Sequence, residues 1–449
     1  MSMVSIGIRK YFENAPDGPG GAVVSIIPIA DAGGTTLSFQ DKLVRRHDNL
    51  IVPIGQSENR FSLSLPSGQY LARVTLPSGE WLEQQFETNE SAPVTLDFEA
   101  QQSEHEWLSW QHFSGGTNAR PTSVQMRSAR PAPTTGGMPK AAFPRLAQAD
   151  LQQAFAAFDT GINGTGEYGG AKLWSALLRA KDDKDDWERF GNLGGPACWS
   201  ARVLQPDRED NEFRLFRTSA QDARWAGRTQ NNWRNFLVAR TSRALEIAAI
   251  PLQWRTQGTS LGFTAEVLLH KKTGNESFLT RTGIADTQSS SMLSYMAQGR
   301  FDLARPFVEH ARELLFDKQD NPLGAAAGGY VLLANASASG DTQWENWTGR
   351  LMTMAPWLPD AAILHGIRAL RLGSNEADFR TAGAKLYEAY KRGPPFFSMG
   401  VVLLQEGLSQ IAGEWNEPPM VDALKVVDEF AAHLDASQPF TTLRFAREI

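Results

Sequence analysis

The sequence predicts a multi-domain α+β protein with an N-terminal antiparallel β-sandwich, a mixed, β-rich middle domain and a C-terminal α-helical repeat domain. The chain has 449 residues, which is too long for one ordinary hydrophobic core. Apolar residues alternate with polar ones near the N-terminus, whereas they recur every three or four residues after about residue 288. We therefore expect a sandwich at 1–100, a linker at 101–150, a middle domain at 151–287 and helical repeats at 288–449.

The N-terminal region is predicted to form short strands rich in β-branched residues, among them VSIGIRKYF, AVVSIIPI and LIVPIG. In RFSLSLPSGQYLARVTLPSGEWLEQQFETN the alternation is clearest, and Pro-Ser-Gly turns interrupt it at residues 66–68 and 77–79. This stretch resembles the prealbumin-like and carboxypeptidase-regulatory-like sandwiches, in which an LPSGxY step links neighbouring strands. The resemblance implies a fold and no chemistry.

The segment at 101–150 is rich in Gly, Pro, Ser and Thr, and this composition predicts an extended, solvated linker. Proteases cut exposed, flexible segments, so regulated cleavage between residues 113 and 145 is an alternative to a simple tether. The candidate cleavage positions are Arg120, Arg127, Arg130 and Arg145.

The middle region is expected to begin with two helices, in LAQADLQQAFAAF and GGAKLWSALLRA, and then to continue as strands. The best strand candidates are ALEIAAIPLQW and FTAEVLLHKKTGNESFLTRTGI, and in the latter Thr273-Gly274-Asn275 supplies a hairpin turn. Large aromatic side chains indicate a hydrophobic core here, namely Trp199, Trp225, Trp233 and Trp254.

The region after residue 288 contains eight segments with helical spacing, which we group as four pairs. The first helix of each pair is predicted to end at a glycine that turns the chain left-handed, at Gly299, Gly340, Gly373 and Gly413. Two units, SYMAQGRFDLARPFVEHAREL and RALRLGSNEADFRTAGAKLYEAYKRG, resemble tetratricopeptide (TPR) repeats. The resemblance implies stacked helix pairs with a concave protein-binding surface.

One part of the helical region is rich in residues that are favoured at protein interfaces. Trp344 and Trp347 share a predicted helix, and Trp357 follows it. These residues are candidates for partner binding, and packing between the repeats is the alternative explanation.

Composition and charge narrow the functional classes. The net charge is -6 with mixed signs, so we expect neither a nucleic-acid-binding surface nor a membrane anchor. The single cysteine, Cys198, cannot form an internal disulfide, and the N-terminus lacks the apolar stretch of a secretory signal. These features predict a cytoplasmic protein.

The sequence has one match to a catalytic motif, and the residues around it argue against catalysis. Gly258-Thr259-Ser260-Leu261-Gly262 fits the nucleophile elbow of serine hydrolases, but polar residues precede it and a predicted strand follows it. No phosphate-binding P-loop, no zinc-protease motif and no paired C-x-x-C is present. We therefore expect no enzyme activity, no cofactor and no metal site.

The sequence favours a non-enzymatic scaffold or adaptor that binds a partner protein through its helical repeats. Two alternatives stay open. The protein could be a regulatory substrate, as in bacterial defence or stress systems, that a partner protease cleaves in the linker. It could also be a serine hydrolase that uses Ser260.

Overall fold

The computed structural model describes residues 2–9, 21–53, 60–75, 81–89, 92–99, 174–181, 200–203, 206–209, 213–218, 233–240, 244–255, 264–271, 278–297, 307–339, 344–373, 375–415, 417–436 and 438–446. The chain divides into two compact units. One is drawn from residues 1–119 and 283–310, and the other from residues 120–282 and 311–449.

The first unit contains a small sheet in which β1 (Ser2–Arg9) is the middle strand. It pairs antiparallel with β4 (Phe61–Leu65) and parallel with β7 (Val94–Glu99). The parallel pair departs from the wholly antiparallel sandwich that the sequence predicts.

A second sheet of this unit is antiparallel throughout. Its strands, in spatial order, are β3 (His47–Pro53), β2 (Gly21–Asp31), β5 (Gly68–Thr75) and β6 (Trp81–Thr88). A short helix that was not predicted, α1 (Phe39–Arg45), lies between β2 and β3 and begins at an N-cap serine, Ser38. Alternate residues of the strands of both sheets are buried and form the core, including Val4, Ile6, Val24, Ile26, Tyr70, Ala72, Val74, Leu96 and Phe98.

The first Pro-Ser-Gly turn carries the chain from one sheet to the other. The strands on either side of it, β4 and β5, pair with different partners and not with each other. The Tyr70 hydroxyl donates to the Pro66 carbonyl at 2.9 Å, and the Thr88 hydroxyl donates to the same carbonyl at 2.7 Å. The LPSGxY step thus links two consecutive strands that belong to different sheets, and the tyrosine fixes this crossover.

The second unit begins with two further sheets that share a core. One contains, in spatial order, β16 (Thr442–Ala446), β13 (Ala244–Ile250), β12 (Trp233–Arg240), β8 (Trp174–Lys181) and β9 (Ser200–Val203). The other contains β10 (Arg208–Glu209), β11 (Phe213–Thr218), β14 (Ala265–Lys271) and β15 (Phe278–Ile284). Buried apolar residues from both sheets form one cluster, made of Phe216, Leu237, Ala239, Ile250, Leu252, Ala265, Val267 and Leu269.

The helix predicted in GGAKLWSALLRA is a strand in the structure. Residues 174–181 form β8, which pairs antiparallel with β12 on one side and with β9 on the other. Ala, Leu and Lys are good helix formers, but tertiary context overrides this preference, because two flanking strands supply hydrogen bonds to the backbone along its length. The other helix predicted for this region, LAQADLQQAFAAF, lies outside the described residues, as does the predicted turn at 273–275.

All eight helices predicted after residue 288 are present. They are α2 (Thr287–Ala297), α3 (Val308–Phe316), α4 (Pro322–Ser339), α5 (Glu345–Met354), α6 (Pro359–Leu372), α7 (Glu376–Lys391), α8 (Ser398–Trp415) and α9 (Pro418–Ala432). From α4 onwards each helix packs against the next one in sequence, and α4, α6 and α8 also pack against one another in that order. Such packing is typical of stacked helical pairs.

The predicted helix ends are confirmed in part where the structure describes them. Gly373 does cap α6, as predicted, but its φ is -56°, so the chain does not turn left-handed there. Gly413 lies inside α8, which continues to Trp415. The glycine at the end of α7 that does have a left-handed backbone is Gly393, with φ 96°. Gly299 and Gly340 lie outside the described residues.

Glycines inside the helices have a different use, which is close packing. A Cβ atom on Gly366 of α6 would lie 2.9 Å from Leu386 Cδ2, and one on Gly407 of α8 would lie 2.6 Å from Leu386 Cδ1. These glycines let α6 and α8 approach the same leucine of α7. As a result α6 is buried around most of its circumference, as the ten buried positions among its 14 residues show.

Candidate partner-binding surface

Trp344, which immediately precedes α5, lies inside the helical domain. Its side chain is 2% exposed, and the Arg368 guanidinium of α6 stacks on the indole with its carbon 4.3 Å from the ring centre. Burial lowers the pKa of Arg368, and the face of the indole compensates part of the lost hydration of the cation. Trp344 therefore joins two helices and is not available to a partner in this conformation.

Trp347, one turn further along α5, reaches the surface and contacts an aromatic residue of α3. Its ring meets Phe316 edge-on, with ring centres 5.5 Å apart and an interplanar angle of 69°. Phe316 is the last residue of α3, and 68% of it is exposed. Aromatic residues are enriched at protein–protein interfaces relative to the rest of the surface. We call Phe316, Trp347 and the neighbouring Lys318 the aromatic cluster.

Lys318 fixes the geometry of the aromatic cluster. Its ammonium group lies 5.6 Å from the centre of the Phe316 ring and 5.3 Å from that of Trp347. It also donates hydrogen bonds to the carbonyls of Leu315 and Phe316 at the C-terminus of α3. Burial, together with repulsion from Arg350, lowers the pKa of Lys318. The buried ammonium group of Lys318 thus contacts both rings and keeps them in place.

Trp357 is separate from the aromatic cluster. It is half-buried in the loop between α5 and α6, and its ring meets Phe396 edge-on at 5.8 Å. Met354, at the end of α5, is 46% exposed. Of the three predicted tryptophans, Trp347 and Trp357 are half-buried, and Trp347 contacts the exposed Phe316. The sequence gives no sign that Phe316 is exposed, because an apolar residue at the end of an amphipathic helix is ordinarily part of the core.

Arginines of later helices hold α4 and the C-terminal end of α5. Arg392, at the end of α7, donates from Nη1 to the carbonyls of Met352, Ala355 and Leu358 at 3.3, 3.4 and 3.3 Å. Carbonyls at a helix C-terminus have no partner within the helix, so this cation satisfies them and fixes the end of α5. Arg371 of α6 donates to the Leu333 carbonyl in the interior of α4 at 3.0 Å and so joins these two helices.

A buried polar network joins α4, α6 and the start of α8. The Asp360 carboxylate of α6 is 0% exposed and accepts hydrogen bonds from the Tyr330 hydroxyl at 2.8 Å and from the Phe396 backbone N–H at 2.8 Å. Burial, reinforced by the charge of Asp360, raises the pKa of Tyr330 well above its ordinary value, so the hydroxyl keeps its proton and remains a donor. A Cβ atom on Gly400 would lie 2.6 Å from both the Asp360 Oδ1 and the Tyr330 hydroxyl, which requires glycine there.

A second buried polar group, which we call the charge cluster, lies where β13, β15 and β16 meet the loop after α9. Arg444 of β16 forms ion pairs with Glu246 of β13 at 2.9 Å and with Asp435 at 2.7 Å, and Arg281 of β15 is buried beside Asp435. Burial raises the pKa of Glu246, which Arg444 only partly offsets, and burial lowers that of Arg281 to about 9. Burial would also lower the pKa of Arg444, but Asp435 and Glu246 outweigh it and raise that pKa. The cluster fastens the last strand to the middle domain.

Ser289, His310 and Asp286 come together without the geometry of a catalytic triad. The Ser289 hydroxyl lies 2.9 Å from His310 Nε2, and Asp286 Oδ2 lies 3.9 Å from the same nitrogen. A triad needs the serine and the acid on opposite ring nitrogens. Asp286 instead caps α2 by accepting from the Ser289 backbone N–H at 3.0 Å, and Ser289 is 0% exposed. This trio is part of the helix cap.

Several predicted positions cannot be placed. Ser260, Cys198, Arg120, Arg127, Arg130 and Arg145 lie outside the described residues. Among the residues that are described, no group of three or more His, Cys, Asp and Glu side chains could hold a metal ion, and no helix is long and apolar enough to cross a membrane.

Residues 291–446 match the family model of the Y4kD C-terminal domain. The match covers less than half of the chain and runs from within α2 to the last residue of β16, so it includes the final strand as well as the helices. The description does not name tetratricopeptide repeats, and that resemblance stays a prediction. No curated protein and no solved structure matches the chain.

Proposed function

We propose that this protein is a non-enzymatic scaffold or adaptor that binds a partner protein through the aromatic cluster of its C-terminal helical domain. The observation that supports this most directly is the 68% exposure of Phe316 beside Trp347. Exposing an aromatic ring to water is unfavourable, and Lys318 on the protein side keeps both rings from turning inward. Fixed aromatic side chains are the residues that contribute most to binding at protein interfaces.

The site differs from the concave surface that the repeat resemblance implies. The resemblance implies a concave surface along the stacked pairs, whereas the aromatic cluster is formed by α3, α5 and Lys318, which follows α3. Exposed residues alternate with buried ones along α3, α5, α7, α8 and α9. A partner is therefore expected on the side of α3 and α5. The N-terminal sandwich offers a second contact to the same partner.

Point variants test this proposal more sharply than deletion of residues 288–449, because that deletion also removes β16 from the sheet it shares with β13. Phe316→Ser and Trp347→Ser are each expected to weaken binding of the partner about 30-fold, since residues central to an interface contribute about 2 kcal/mol or more. Affinity purification of the full chain from its host identifies the partner, and titration with the purified partner measures the dissociation constant.

Leu372→Ser is the matched control, because Leu372 is 63% exposed at the end of α6 and lies outside the aromatic cluster. Its dissociation constant is expected to equal that of the wild type. If all three variants weaken binding equally, or if none of them weakens it, the aromatic cluster is not the binding site.

A further inference from the structure

Helix α2 packs on the N-terminal sandwich, although more than 180 residues separate it in sequence from the last strand of the sandwich. The first unit contains residues 1–119 and 283–310, so the chain leaves this unit and returns to it. Every residue of α2 from Ser289 to Ala297 is buried, including Met292, Leu293, Tyr295 and Met296.

Tyr295 makes the most specific contact between α2 and the sandwich. Its hydroxyl donates to the Thr75 carbonyl of β5 at 2.7 Å and accepts from the Val23 N–H of β2 at 3.2 Å. Val23 and Thr75 face each other in the β2–β5 pair, so the tyrosine bridges the two strands at that end of their ladder. The fit is close nearby as well, because a Cβ atom on Gly21 would lie 3.0 Å from the Ser291 hydroxyl.

From this geometry we propose that the β2–β5 end of the sandwich is a helix-binding surface whose occupant is α2 of the same chain. The sandwich is then connected to the rest of the chain by its contact with α2 as well as by the peptide backbone. A cut anywhere between residues 113 and 145 leaves the two fragments associated, and release of the sandwich requires α2 to undock. Cleavage and release are therefore two separate steps. This inference does not depend on the scaffold function.

The test uses the full chain with the recognition sequence of a site-specific endoprotease inserted after Gly137. The protein is cut under native conditions and applied to size-exclusion chromatography with mass detection. The two fragments are expected to elute together at the position of the uncut protein. Separation of the wild-type fragments overturns the proposal.

Variants of Tyr295 show whether α2 is what holds the fragments. Tyr295→Ala is expected to separate the cut fragments at the concentration at which the wild-type fragments co-elute. Tyr295→Phe keeps the ring and loses both hydrogen bonds, and we expect it to raise the dissociation constant of the fragments about fivefold or more. This second variant decides the question if the uncut alanine variant does not fold.

Tyr387→Ala and Tyr387→Phe are the matched controls, because Tyr387 stacks on Tyr390 within α7 and takes no part in α2 docking. Their cut fragments are expected to associate like those of the wild type. If the Tyr295 variants also associate like the wild type, another surface holds the sandwich and the assignment of α2 is wrong.

Discussion

Replacing Asp360 with alanine should lower the free energy of unfolding of the helical domain by about 3–5 kcal/mol, the range for removing one member of a buried charged network. The substitution leaves the Tyr330 hydroxyl and the Phe396 N–H without their acceptor in a region that water does not reach. It also leaves a cavity between α4, α6 and α8. The three helices that form the centre of the domain depend on this one carboxylate.

Hydrogen exchange read by mass spectrometry measures the effect, because it reports α6 and α8 separately from the rest of a multi-domain chain. Asp422→Ala on α9 is the control, since the side chain of Asp422 is 75% exposed and its ion pair with Lys425 is on the surface. That control is expected to change stability by less than about 0.5 kcal/mol. Tyr330→Phe should lower the free energy of unfolding by an amount between those of Asp360→Ala and Asp422→Ala. If the amide hydrogens of α6 exchange as slowly in Asp360→Ala as in Asp422→Ala, the network does not stabilise the helical domain.

The local structure of the helical region follows from its sequence. Helices α2–α9 each bury residues spaced by three and four, and this spacing is visible without a structure. Their ends were less predictable. Gly413 remains inside α8, because a glycine within a helix costs only about 1 kcal/mol and packing supplies more than that. Sequence shows that a glycine is present, but it does not show whether the backbone or a neighbouring leucine requires it.

Contacts between distant segments could not be predicted from the sequence. Nothing in the pattern of α2 indicates that Tyr295 binds a strand 220 residues earlier in the chain. Nothing in TLRFA indicates that β16 completes a sheet with β13, nearly 200 residues away. Contacts with other segments also explain why the sequence of β8 predicts a helix that the structure does not contain. Its conformation is decided by its partner strands β9 and β12.

The candidate surface was predicted in part. Trp347 was selected for its residue type, and the structure places it beside the exposed Phe316. Trp344 was selected by the same argument, but the indole is buried under Arg368. Two tryptophans three residues apart lie near each other on a helix, so composition cannot tell which of them reaches solvent. The neighbouring helices decide this.

A substitution in the charge cluster is also expected to lower the free energy of unfolding strongly. Arg444→Met should destabilise the middle domain by about 3–5 kcal/mol at neutral pH, because Glu246 remains buried without its cation and Asp435 keeps only Arg281. Glu246 is 4% exposed, so water cannot replace the guanidinium. The double variant Glu246→Gln, Arg444→Met should recover part of the loss, since it removes the uncompensated charge of Glu246.

The pH dependence of this loss provides an independent test. A carboxyl group whose pKa is raised in the folded state contributes stability below its ordinary pKa, and this contribution is lost as the pH rises through the folded value. Glu246 is such a group, with an ordinary value of 4.5, and removal of Arg444 raises its folded pKa further. The difference in unfolding free energy between wild type and Arg444→Met should therefore shrink as the pH is lowered from neutrality towards 4.5. Denaturant titrations across this range measure it. A difference that is constant with pH would mean that Arg444 acts through packing and not through its charge.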